Sequence, residues 1–182
     1  LAVGDMARVS AWGEVRLDDR FADKVLMPGL VEGHSHLTAG GLAQFAYTGF
    51  HPRPAPPGMQ WPGCRDFDAV VAQLSGVDAG MAEDPTAPLL AWGFDPIFYG
   101  AERMTRAHLD QVSLTRPVVI LHASHHLMNV NSAALRLAGI DRDSEIEGVV
   151  RGADGEPSGE LQEFAAMFPV LRVIGNGFRA AG

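Results

Sequence analysis

The sequence has 182 residues, 47% of them hydrophobic and 20% charged, a globular composition sufficient for one sizeable core. A formal net charge of -8, with no run of Lys or Arg, excludes a basic nucleic-acid-binding stripe and attachment to an anionic membrane. The single cysteine, Cys64, excludes a disulfide framework or thiolate metal cluster and fits a reducing, cytoplasmic setting, the alternative being an exported protein that lacks disulfides; no apolar run approaches the roughly 18 residues of a membrane span.

Residues 1–31 alternate apolar and polar side chains with Gly, Asp and Trp punctuation, which predicts short strands joined by turns. "KVLMPGLVEGHSH" follows as a continuous apolar run, the pattern of a strand buried on both faces of a parallel sheet. "TAGGLAQFAYTGF" is weakly helical. Residues 51–64 hold five prolines, cannot form a helix or a central strand, and are expected to be a long loop.

"DFDAVVAQLSGVDAGMA" has helical apolar spacing after Asp66, a good N-cap. "APLLAWGF" and "RPVVILHAS" read as short buried strands, with a helix capped by Thr105 between them. "NSAALRLAGI" is a helix started by Asn131 or Ser132, with Asn131 the better cap, and stopped by Gly139. "GVVRGADGEPSGELQ" reads as a hairpin turning near Asp154-Gly155, and helical spacing returns from about Glu160. "GNGF" near the end lacks the third glycine and the following βαβ unit of a dinucleotide loop. Strands alternating with helices make an α/β fold. Leu1 and Gly182 both fall against apolar stretches, so the fold is expected to be truncated at both ends.

His34 and His36 stand two apart at the end of the first apolar run, so in a strand both project to one face. Two imidazoles on one face suit a divalent ion, and the alternative is two histidines in a turn. The setting, with Pro28-Gly29 and Glu32 just before them, favours the ion.

"PGLVEGHSH" resembles the P-G-x-x-D-x-H-x-H signature of the amidohydrolase superfamily, with Glu32 in place of the commoner Asp. "LLAWGFDP", "RPVVILHASHHLMNVNSAALRLAGI" and "GVVRGADGEPSGELQEFA" resemble, in order, segments of its amidohydrolase-3 (YtcJ-like) branch, so that the likeness covers most of residues 25–166. The resemblance implies a partial (β/α)8 TIM-type barrel over residues 28–182, with a Pro-rich loop near 51–64, and part of a small N-terminal β-sandwich over 1–27. It implies one or two divalent ions, of which zinc is expected, bound by His34 and His36. The G-x-L-x-E pattern makes Glu163 the candidate bridging carboxylate, against the alternative of an exposed helical Glu, with Glu160 a rival. Lys24, the sole lysine, precedes the first barrel strand and cannot serve as that bridge.

His126 falls on the branch's Gly-His position, with His125 replacing the glycine. His126, Trp92 and Asp95 are the expected substrate-binding residues, the alternatives being a His126 satisfied by backbone partners and aromatic packing at the strand end. His122 is expected in the core or supporting the site. The implied reaction is hydrolysis of an amide-type C–N bond in a small-molecule substrate by a metal-activated water. Two further histidines and a late aspartate belong to the family pattern beyond residue 182. Alternatives are a deaminase of the same superfamily and a non-catalytic truncated chain or binding remnant. A homo-oligomer, or dependence on the remainder of a longer chain, follows from a partial barrel.

Overall fold

The computed structural model describes residues 4–16, 18–25, 29, 39–55, 58–84 and 86–175. Two units separate, Leu1–Ser35 and His36–Gly182. In the first, the described stretches 4–16 and 18–25 hold a helix, α1 (Met6–Ser10), and no strand. This corrects the expected strands. Asp5 accepts the Arg8 N–H at 2.9 Å, and this cap, followed by good helix formers, overrides the alternation.

In the second unit, α2 (Ala39–Leu42) leads to β1 (Ala46–Tyr47). The proline-rich stretch is more ordered than a loop. It forms an isolated antiparallel ribbon, β2 (Arg53–Ala55) with β3 (Met59–Trp61), in which Pro54 faces Gln60. A two-stranded ribbon tolerates Pro54 because its missing N–H can face outward.

Next come α3 (Phe67–Gly80), β4 (Leu89–Phe94), a 3-10 turn over Pro96–Tyr99, and α4 (Arg106–Asp110). Asp66 caps α3 by accepting the Ala69 N–H at 2.7 Å, as its position predicts. β5 (Val118–His122) and β6 (Leu127–Val130) precede α5 (Ser132–Ala138). The chain then forms β7 (Val149–Arg151), β8 (Pro157–Gln162) and α6 (Glu163–Val173). Gly139 ends α5 in the left-handed conformation at φ 69°, and β7 and β8 pair as the expected hairpin.

Six strands form one sheet in the order β1-β4-β5-β6-β8-β7. β1, β4 and β5 are parallel neighbours, whereas β5-β6, β6-β8 and β8-β7 are antiparallel. β1, β4, β5 and β8 therefore run in one direction. The departure from simple βα alternation is β6. Only residues 123–126 separate it from β5, far short of the dozen or so residues that a parallel crossover needs.

Both faces of the sheet are covered. Trp92, Val119, Met128, Val130 and Leu161 pack with the α5 and α6 residues Leu135, Met167 and Val170. Leu89, Ala91, Val118 and Ile120 pack on the other side with Val70, Leu74 and Leu109 of α3 and α4. Burial on two sides is why β4 and β5 read as unbroken apolar runs. Gly159 shows how closely the second layer presses. At φ 96°, a Cβ there would lie 2.5 Å from the Val130 carbonyl oxygen and 2.7 Å from the Arg106 nitrogen.

Candidate functional site

The carboxyl ends of β4, β5 and β8 lie at the same end of the sheet as the start of β6. Backbone bonds tie this end together. Ala123 N–H donates to the Phe94 carbonyl at 2.9 Å, His125 N–H to His122 at 3.0 Å, and Glu163 N–H to His126 at 2.8 Å. The last of these brings side chains 37 positions apart into contact, with His126 Nδ1 3.1 Å from Glu163 Oε2. Both face solvent, at 67% and 72% exposure, so an incoming ligand can reach either.

His125 (φ 63°) and Glu163 (φ 61°) are the two non-glycine residues with positive φ among the described residues. Each costs roughly 1–2 kcal/mol relative to a right-handed conformation. Strain of this kind persists where surrounding bonds impose it and clusters at functional sites. His125 occupies the glycine of the Gly-His pattern, and its φ explains why a glycine suits that place.

Behind this surface lies a buried polar row. Asn129 is opposite Ile120 on β5 and Glu160 on β8. Asn129 Nδ2 donates to the Met104 carbonyl at 2.9 Å, which turns Oδ1 toward His122 Nε2 at 2.7 Å. His122 Nε2 must then carry the proton. Its Nδ1 is buried without a partner, and burial pushes the ring's pKa below its ordinary value against the pull of Asn129. The expectation of a core or supporting histidine matches this position.

Glu160 is 3% exposed. Arg103 grips it with Nε at 2.9 Å and Nη2 at 2.5 Å, and Gln162 Nε2 adds a third donor at 2.8 Å. Burial alone would raise this carboxyl's pKa, but the Arg103 and Gln162 hydrogen bonds outweigh it and hold it below the ordinary range. Glu160 thus has its oxygens engaged, whereas Glu163 Oε2 meets only His126. Asp95 accepts the Ile97 N–H at 3.1 Å and caps the 3-10 turn at the end of β4. Trp92 lies in the core at 5% exposure, against Tyr47, with the Arg53 guanidinium over its ring.

Asn131 has a structural role. Its Oδ1 accepts from Val118 and Ala134, and its Nδ2 donates to Ser113 and Arg116. Glu32, His34 and His36 lie outside the described residues. Among the described residues, no group of three His, Cys, Asp or Glu side chains stands close enough to hold a metal ion. Sequence reasoning missed Arg103 as the partner of Glu160. Its one available signal was a carboxylate inside the otherwise apolar "SGELQ" strand, which demands a cation.

A sequence profile of the amidohydrolase family matches residues 22–173. The chain is 28% identical over 169 residues to the Protein LONG AFTER FAR-RED 3 of Arabidopsis thaliana, covering 91% of this chain and 27% of that protein. It is 29% identical over 145 residues to the Putative amidohydrolase YtcJ of Bacillus subtilis, covering 75% and 24%. An uncharacterized metal-dependent hydrolase from Pyrococcus horikoshii aligns with a TM-score of 0.49 at 17% identity, over 78% of this chain and 23% of that one. The chain thus spans about a quarter of the length of these curated relatives. With its matching segments in family order and the profile running through most of the fold, the chain belongs to the amidohydrolase family.

Proposed function

We propose that the protein contributes to metal-dependent hydrolysis of an amide-type C–N bond in a small molecule. The observation that carries this reading is the His126–Glu163 pair, an imidazole and a carboxylate held together, exposed, at the carboxyl end of the sheet. Active sites of barrel enzymes sit at that end. We take the six-stranded sheet as part of such a barrel over residues 28–182.

The donor chemistry fits a divalent ion of the zinc type, for which imidazole and carboxylate are ordinary ligands. Its ligands in this reading are His34, His36 and Glu163, with one or two ions bound. A bound ion supplies polarisation of the scissile carbonyl and activation of a water. The residues of this chain then bind and orient. His126 Nδ1–H donates to Glu163 Oε2, which leaves Glu163 Oε1 free to act as a ligand and keeps the outer edge of the His126 ring toward substrate. Arg103 holds the neighbouring Glu160 ionised and out of the site. A cytoplasmic setting accords with the single, buried Cys64, whose thiol burial pushes up to about 11.

The test is metal content by elemental analysis alongside release of amine from simple amides. Glu163→Gln is expected to keep the fold by circular dichroism yet lower metal stoichiometry, and His34→Ala or His36→Ala to lose most of the metal and nearly all turnover. Full metal content and turnover in these variants would remove the ligand assignment.

A further inference from the structure

We propose that Arg53 is the anion-recognition residue of this protein, and that the small molecule it takes carries a carboxylate. The inference deepens the reading above by naming a substrate class, and rests on it for the ligand being a small molecule.

Arg53 opens the β2–β3 ribbon, and the ribbon lays its guanidinium on an aromatic floor. The carbon Cζ lies 4.7 Å from the Trp92 ring centroid and 5.7 Å from that of Tyr47. Tyr47 and Trp92 are register partners at the carboxyl end of β1, so Arg53 stands at the sheet end that carries His126 and Glu163. Arg53 lines a small recess together with Ala43, Tyr47, Pro54, Ala55, Trp61 and Trp92. A guanidinium lying against rings spends a face on them and keeps its in-plane N–H donors for an acceptor.

Among the described residues, the Arg53 guanidinium makes no ion pair and donates no hydrogen bond, although the chain carries a net charge of -8. Buried Arg116 is fully used, binding Asp78 and three carbonyls, and Arg103, exposed like Arg53, grips Glu160. Directly under Arg53, the Trp92 indole N–H is a second donor without an acceptor. That N–H is buried, so the exposed guanidinium makes the first contact. A planar carboxylate matches its fork with two parallel bonds.

Arg65 is the matched control. It also lies over a ring, Phe50, at 4.3 Å, and also lacks an ion-pair partner, but no donor without an acceptor lies beneath it.

The experiment is calorimetric titration of the full chain with phenylacetate and with its neutral counterpart phenylacetamide, first in EDTA and then with zinc. The metal-free protein is expected to bind phenylacetate at least about tenfold more tightly. Arg53→Gln should abolish that preference, Arg53→Lys should retain part of it, and Arg65→Gln should leave it intact. Arg53 is exposed, and circular dichroism checks that each variant folds. Equal affinities for the two probes without metal, or a preference that survives Arg53→Gln, overturns the assignment. A preference that appears only with zinc and ignores Arg53 does so while leaving the hydrolase reading in place. An Arg53-dependent preference in a protein that binds no metal keeps the anion site and removes the hydrolase reading.

Discussion

His125 holds a φ of 63° because its N–H must reach the His122 carbonyl while the chain turns to enter β6 two residues later. Glycine adopts that conformation freely, histidine tolerates it, and a β-branched residue does not. His125→Gly is therefore expected to be close to neutral, and His125→Val to be less stable than the glycine variant by at least about 1 kcal/mol. Urea unfolding of the two variants checks the ordering, and equal midpoints would show that the turn relaxes. The same residue shows what can be read from a sequence. A strand-end Gly-His pattern with the glycine replaced marks the position, but the His126–Glu163 contact it enables joins residues 37 apart and depends on a pairing that no local pattern encodes.

Legibility at the level of elements follows the same division. α3 was readable because its cap, Asp66, and its buried Val70 and Leu74 all fall within one short window. β6 was not, because Asn129 at its centre looks like a turn residue until Met104 and His122 are seen to satisfy its amide. The β2–β3 ribbon was hidden by its prolines. α3 also ends on a device that is silent in sequence. Arg116, 4% exposed, donates to Asp78 on the helix and to the carbonyls of Met81, Asp84 and Ala87 beyond it. A cation at a helix C-terminus meets the negative end of the dipole, and here it also satisfies carbonyls that would otherwise lack donors. Arg116→Met strands those groups and is expected to cost about 2–4 kcal/mol, the partial exposure of Asp78 keeping it below a fully buried pair. Thermal unfolding measures the loss, and an unchanged midpoint would show that water replaces the guanidinium.

Across the whole molecule, two buried titratable groups set the acid limit of the fold. His122 resists protonation in the native state, so the unfolded chain, with an ordinary value of 6.5, binds more protons as the pH falls below that point. Stability accordingly falls with acidification from about 6.5 toward the depressed native value. Glu160, held below its ordinary 4.5 by Arg103 and Gln162, contributes stability that is full above 4.5 and is lost as the pH falls through its native value. Urea midpoints measured from pH 7.5 downward are expected to drop in two stages, and His122→Gln should lack the first. A wild-type midpoint that stays level between pH 7 and 5 would contradict the buried neutral histidine.

The four-residue turn between β5 and β6 also bears on which lengths of chain the fold can accept. Met128 and Val130 enter one apolar layer, whereas Asn129 joins the polar row on the opposite face. Inserting or deleting a single residue at 123–126 would exchange those faces, setting an amide among Val119, Leu161 and Met167 and a thioether against His122 and Glu160. This largely exposed turn is thus intolerant of any change in length. Among natural relatives, gaps should avoid this turn and collect in the connections that end no antiparallel register, such as residues 95–104.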